Sequence, residues 1–235
     1  MFSRKGAWEI SNEQQEEMID LYEANWGNYP DKDFVLSLKE YFKTAFLPTE
    51  NQQKNYFYTF EKDEKIRAFV RFENKEEHNL YASALNVDEA SKNFGLGEAM
   101  MDEALVREAK ENILHASCRK DNPSNMRYFE KGFISRGFKN TSNTEEFDLI
   151  WDEVKNKDIL AKNKTVDELV AMYLSGRYEG SIEIKKAGNL NELHKEIPSG
   201  KSLVRCFQNP LNKNEWFAVY EKVRDDYGVN TEDTK

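Results

Sequence analysis

Apolar and polar residues alternate from Tyr56 to Phe60 and again from Ile66 to Glu73, with the charged segment 61–65 between them. Alternation at period two marks a half-buried strand, so these runs predict a hairpin. Leu80, Ala82, Ala84 and Asn86 then alternate with Tyr81, Ser83, Leu85 and Val87, which predicts a third, largely buried strand and completes an antiparallel meander. At Lys92 the period changes. Leu96, Met100, Ala104 and Leu105 fall on one side of a helix from about Gly95 to Lys110, with Asp102, Glu103, Arg107 and Glu108 on its solvated side. Ile113 to Cys118 reads as the next strand. A strand–helix–strand crossover predicts that it lies parallel to the strand ending at Val87.

Upstream, Trp8 to Ile10 reads as a short first strand. A helix capped by Ser11 or Asn12 follows, carrying Met18, Ile19, Tyr22 and Trp26, and Gly27 to Pro30 breaks it. A second helix, opening at Asp31 or Asp33, presents Phe34, Leu38, Tyr41, Phe42 and Phe46 and stops at Pro48. Downstream, Asp121 or Asn122 caps a short helix with Pro123 in its first turn. Glu146 to Val154 closes this part as a strand. A polar linker precedes Thr165-Val-Asp-Glu168, a capping box that opens a helix ended by Gly176. Ser181–Ala187, Lys201–Gln208 and Trp216–Val223 read as strands, and 189–196 as a short helix. The fold class is α+β: a mixed, mostly antiparallel sheet with flanking helices over residues 1–155, and a small α+β unit over 156–235.

Composition narrows the function classes. The formal net charge is -9, which argues against nucleic-acid phosphate as a partner and favours cationic ligands such as amines. No run approaches the roughly 18 apolar residues of a membrane span, and the N-terminus lacks a secretory apolar run. Cys118 and Cys206 make no disulfide framework, and His115 and His194 lack metal-ligand spacing. These features describe a cytoplasmic protein with no membrane partner and no metal.

The candidate chemistry sits at Lys92-Asn93-Phe94-Gly95-Leu96-Gly97. A glycine-bearing turn that opens a helix leaves backbone N–H groups without intrahelical partners, at the positive end of the helix dipole. Such a turn suits phosphate or diphosphate. No Gly-Lys-Ser/Thr follows, which excludes a Walker loop. Glu98 follows Gly97 and the third glycine is absent, which excludes the dinucleotide fingerprint.

Leu85-x-Val87-Asp88 followed by Lys92-x-x-Gly95-x-Gly97 resembles the signature of the GCN5-related N-acetyltransferases, the GNAT superfamily. Lys92 stands where that signature has Arg or Gln. A second signature is matched by Asn122-Pro-Ser-Asn125-Met-Arg-Tyr128-Phe129-Glu-Lys-Gly132-Phe133. The resemblance covers roughly residues 8–154. It implies acetyl-CoA or another acyl-CoA as cosubstrate, with its diphosphate on Asn93, Phe94, Gly95, Leu96 and Gly97 beside Lys92. The pantetheine arm would lie between two strands that splay apart, the acyl carbonyl near Leu85 to Val87, and Asn122 and Asn125 on the cofactor side. The resemblance also implies a tyrosine that protonates the departing thiolate. Counting from the asparagine lands on Phe129, and counting back from Gly132-Phe133 lands on Tyr128. Only Tyr128 carries a hydroxyl and is the candidate acid, with Gly137-Phe138 as a later possible helix end.

The implied activity is N-acyl transfer to a primary amine of a small molecule or protein. Tyr29, in the loop between the first two helices, is the candidate for touching the acceptor. The strand from Leu80 to Val87 contains no acid, so the general base stays open between Glu73 and His78, both read as solvated turn residues. The alternative is an acyl-CoA-binding regulatory or interaction module without turnover. Residues 156–235 carry no recognised motif. Covering the acceptor cleft, homodimerisation and partner binding are all open to them.

Overall fold

The computed structural model describes residues 1–26, 32–47, 54–119, 128–129, 131–140, 145–152, 157–188 and 197–223. The chain divides into two compact units, Met1–Ser117 and Cys118–Lys235.

In the first unit the strands run in the order β1 (Phe2–Gly6), β2 (Asn55–Lys62), β3 (Lys65–Glu76), β4 (Asn79–Val87) and β5 (Ile113–Arg119), the division falling within β5. Every neighbouring pair is antiparallel except β4 and β5, which run parallel as the crossover predicts. The first strand is not Trp8–Ile10. Phe2–Gly6 pairs with β2, and Ala7–Glu9 is a 3-10 turn. Phe2 packs on Phe60 at 5.0 Å between ring centroids, so a cross-strand aromatic pair fixes a strand too short to read locally.

One face of this sheet is covered by α1 (Asn12–Trp26) and α2 (Lys32–Lys43), which continues as a 3-10 turn over Thr44–Phe46. Met18, Tyr22, Phe42, Phe46, Phe57 and Phe69 form the core between them. Tyr22 stacks on Phe42 at 4.6 Å and Phe46 on Phe57 at 5.2 Å, so Phe42 and Phe46 of the predicted stripe are core. Tyr41 departs from it: half-exposed, it reaches Glu73 instead of the core. The other face carries α3 (Leu96–Glu108), which buries Met100, Met101 and Ala104. Glu108, expected on its solvated side, is buried. Arg4, Tyr56 and Tyr58 all reach its carboxylate.

In the second unit the strand order is β7 (Glu145–Trp151), β6 (Ile134–Asn140), β9 (Ser202–Gln208), β10 (Trp216–Glu221) and β8 (Glu183–Ala187). Pairing of β6 with β9 brings Ser135 opposite Leu203. Residues 134–151 therefore pack with the C-terminal strands, and the compact units part before them and not at 155. The expected polar linker is partly built in: Leu160–Asn163 is a 3-10 turn with Ile159 and Ala161 buried. Glu221 accepts from the N–H groups of Leu160 (3.0 Å) and Ala161 (2.8 Å), placing a carboxylate at the positive end of that turn. Thr165 and Glu168 make the predicted capping box for α4 (Val166–Ser175), and Gly176 ends that helix at a φ of 65°.

Lys162 in this turn donates to the carbonyl of Gly132. Burial, with Arg205 adding like charge, lowers its pKa to about 7. A lysine depressed in the folded state binds fewer protons there than in the unfolded chain between about 7 and 10.5, so stability rises with pH across that window. Urea midpoints measured from pH 7 to 9.5 should climb in the native chain and climb less in Lys162→Met. Equal slopes in the two proteins would show that the amine is not depressed.

Among the described residues, no helix is long and apolar enough to cross a membrane. The segment 189–196, expected as a short helix, lies outside them.

Candidate active site

The C-terminal half of β4 departs from the regular strand that alternation predicts. Arg71 faces Ser83 and Phe69 faces Asn86, so Ala84 and Leu85 together oppose the single residue Val70. This is a β-bulge, and Ala84 holds it with a φ of 54°. A non-glycine residue in that region costs about 1–3 kcal/mol and persists only where surrounding contacts over-determine it. The contacts are present. Asn86 donates to the carbonyl of Ala84 (2.9 Å), and Asn25 of α1 donates to Asn86 Oδ1 (3.1 Å) and to Leu21 O (3.0 Å), with Val87 O at 3.3 Å.

The bulge shifts which way the strand's side chains face. Leu85 and Val87 face α3, where a Cβ added to Gly97 would lie 3.3 Å from Val87 Cγ2 and 3.9 Å from Leu85 Cδ2. Gly97 is therefore a packing glycine: the first turn of α3 lies directly on β4. Gly95 serves a different purpose. It caps α3 at a φ of 75°, and an added Cβ would meet nothing within 4 Å. What it contributes is conformational freedom, since no close neighbour excludes a side chain there.

The intervening turn is braced at its start. Asp88 N–H donates to Arg67 O (2.7 Å), and Arg67 Nη1 lies 3.2 Å from Asp88 Oδ2. Glu89–Ser91 is a 3-10 turn, and Asn93 takes a φ of 66°. Phe94 is 83% exposed. The first intrahelical bond of α3 is Ala99 N–H to Gly95 O at 2.9 Å. Among the described residues, the N–H groups of Gly95, Leu96 and Gly97 donate no hydrogen bond. Lys92 has a partner: its Nζ sits 2.6 Å from Glu89 Oε2 in a surface pair that water screens.

Strands β4 and β5 pair over four residues only, from Asn79↔Ile113 to Ala82↔Ala116. Both continue, to Val87 and Arg119, without further pairing to each other. The β5-side edge of Ser83–Val87 is thus open within this unit. Just below the parting point, the Tyr81 hydroxyl and Ser117 Oγ are 2.7 Å apart.

Glu73 is not a solvated turn residue but a buried one on β3. Its Oε1 accepts from Tyr41 (3.0 Å) and lies 3.0 Å from Arg71 Nη2, and its Oε2 is engaged by Lys75. Arg71 Nε in turn donates to Asn55 Oδ1 at 3.0 Å. Both oxygens are committed, which leaves Glu73 poorly disposed to take a proton from an amine. Burial, and then the Glu73 charge, push the Tyr41 phenol up. His78 is exposed, with Nδ1 2.8 Å from Glu111 O.

Tyr128 belongs to the second unit. It and Phe129 are helical, and Gly132 breaks the helix at a φ of 106°. Gly137 lies inside β6, so the helix end is Gly132 and not the later glycine. Tyr128 is half-buried and packs edge-on against Phe133 at 5.4 Å, whereas Phe129 is fully buried. Phe133 N–H donates to Tyr128 O at 3.0 Å, and Trp151 Nε1 donates to Lys131 O at 3.2 Å. Asn122, Asn125 and Tyr29 lie outside the described residues. Cys118 and Cys206 are buried and not joined in a disulfide, and burial pushes the Cys206 thiol far up. No group of three or more His, Cys, Asp or Glu among the described residues is arranged to hold a metal ion.

An α+β sheet with a bulged strand leading into a glycine turn and helix defines the class of fold. The model described as the acetyltransferase (GNAT) family matches residues 16–133, and the chain belongs to that family, whose members carry out acyl transfer. Similar solved structures include a GNAT-family protein from Desulfovibrio desulfuricans, 14% identical over 65% of this chain and 98% of that one, with a TM-score of 0.51. Aminoglycoside 6'-acetyltransferase type Ii is 11% identical over 65% and 96%, with a TM-score of 0.51. A protein from Pyrococcus horikoshii is 15% identical over 65% and 98%, with a TM-score of 0.50. At these identities the likeness is one of fold. No curated protein matches the sequence.

Proposed function

We propose that this chain is a cytoplasmic acyl-CoA-dependent N-acyltransferase that moves an acetyl or other acyl group to a primary amine of a small molecule or protein. The observation that carries this reading is the amide-lined turn. The N–H groups of Gly95, Leu96 and Gly97 are unengaged among the described residues, they sit at the start of α3, and a Cβ added to Gly95 would meet nothing within 4 Å. That donor set fits a diphosphate.

Bound acyl-CoA supplies the activated thioester. The chain's own residues bind and orient it. Amides from Asn93 to Gly97 hold the diphosphate. Lys92 adds positive charge, shared with Glu89. The open edge of β4 from Leu85 to Val87 offers backbone groups to the pantetheine amides and, at its Leu85 end nearest Ser83, to the acyl oxygen, the role of an oxyanion hole. Asn122 and Asn125 act on the cofactor side. Tyr128 returns a proton to the departing sulfur. The net charge of -9 favours cationic amines as acceptors.

Calorimetric titration of the full chain with CoA and with acetyl-CoA tests the reading. Both should bind saturably at one site and raise the melting temperature. Neither heat nor thermal protection with either compound would end it. An acyl-CoA-binding module without turnover is the second reading, favoured because β4 carries no acid and Glu73 is fully engaged. Saturable binding with no thiol release across polyamines, aminoglycosides and lysine peptides would decide for it.

A further inference from the structure

Among the described residues, one buried side-chain polar atom makes no hydrogen bond: Ser83 Oγ. Buried hydroxyls nearly always find partners, so an exception calls for a physical reason. Ser83 is also the first residue of β4 beyond Ala82↔Ala116, where β4 and β5 stop pairing, and the residue immediately before the bulge at Ala84. Tyr81 and Ser83 share a face of the strand by alternation. The Tyr81 hydroxyl is engaged by Ser117, and the Asn86 amide by Ala84 O and Asn25. Of the polar side chains on this part of β4, Ser83 alone is uncommitted among the described residues.

We propose that the Ser83 hydroxyl donates a hydrogen bond to the acyl carbonyl oxygen of the bound acyl-CoA, so that the site distinguishes an acyl-CoA from free CoA. This rests on the acyl-CoA reading above. If the diphosphate sits at the turn after β4, the arm that leaves it runs back along the open edge from Val87 toward Ser83. It stops where the strands close at Ala82. The end of the arm is the acyl group, and the side chain at that closing point is Ser83. A hydroxyl there both completes its own hydrogen bonding and fixes the carbonyl for attack. Free CoA ends in a thiol, a poor acceptor, and gains little from the same hydroxyl.

The test compares acetyl-CoA with CoA by calorimetry on the full-length native chain, Ser83→Ala and Ser83→Cys. The native chain should bind acetyl-CoA about tenfold more tightly than CoA, the range of one neutral hydrogen bond. Ser83→Ala should abolish that preference while leaving CoA affinity within about twofold. Ser83→Cys, which keeps the shape with a weak donor, should fall between them and stands in should the alanine variant fail to fold. Without ligand, Ser83→Ala should melt no lower than the native chain, because a hydroxyl lacking a partner contributes no bond to lose. A preference unchanged by both substitutions, or equal native affinities for the two ligands, overturns the proposal while acyl-CoA binding stands. Absence of binding to either ligand by the native chain overturns the acyl-CoA reading itself, and the role of Ser83 with it.

Discussion

Replacing Tyr128 with phenylalanine is expected to slow acyl transfer about a hundredfold and leave the affinity for acetyl-CoA within twofold, since a positioned general acid contributes at least that factor. The ring packing and the local backbone of Tyr128 in its own unit do not depend on the hydroxyl. The ring packs edge-on against Phe133 at 5.4 Å, and that contact survives loss of the hydroxyl. The backbone is held by Phe133 N–H on Tyr128 O and by Trp151 and Lys162 on the carbonyls of Lys131 and Gly132, none of which involves the phenol oxygen. Initial rates of thiol release with an acceptor identified by screening, set beside calorimetric affinities, make the measurement. Phe129→Leu is the counterpart. That residue is buried, so its substitution should lower stability and spare turnover. Unchanged turnover in Tyr128→Phe, or a loss of acetyl-CoA affinity, would remove the tyrosine from the role.

The contrast between Tyr128 and Phe129 also shows where reading the chain reached its limit. Spacing alone could not choose between neighbours, and the chemistry of a hydroxyl did. In the structure Phe129 is buried and Tyr128 is half-buried. What was legible elsewhere was local. The hairpin of β2 and β3, the crossover from β4 through α3 to β5, and the capping box of Thr165 and Glu168 all follow from contacts within a few residues or from a strong period. What was illegible depends on distant partners. Strand β1 exists because Phe2 to Gly6 meets β2 some fifty residues later, and nothing in FSRKG alone announces it. The bulge needs alanine at a positive φ, which propensity argues against, and it is bought by Asn25 on another element. Compact units divide at Ser117 because β6 finds β9, while composition pointed to the polar run after Val154. The glycine turn opening α3 was legible, but the separate reasons for its two glycines were not: conformation at Gly95 and contact with Val87 at Gly97.

Loss of Glu108 should destabilise the first unit strongly. An acidic residue in the last turn of a helix reads as solvated, and it opposes the helix dipole. Here it is 7% exposed and accepts from Arg4 Nε at 2.8 Å, Tyr58 at 2.5 Å and Tyr56 at 3.1 Å. Arg4 also lies over the Tyr56 ring at 4.0 Å. Burial, reinforced by the Glu108 charge and hydrogen bonds, pushes both phenols well above their ordinary range, so they stay protonated and donating. Glu108→Ala strands two largely buried hydroxyls, each costing about 1–3 kcal/mol without an acceptor. It also frees a half-exposed guanidinium, which water solvates at little cost. The expected loss is about 3 kcal/mol, read as a lower urea midpoint with an unchanged slope. Glu108→Gln keeps one acceptor oxygen and should recover about half. The anchor lies at the far end of α3 from the amide-lined turn, about 18 Å away at 1.5 Å per residue. Acetyl-CoA affinity of the folded variant should therefore stay within about threefold of native. A stability loss under about 1 kcal/mol would mean the tyrosines find other acceptors. A collapse of affinity in a variant that remains folded would mean that this far contact sets the position of the turn.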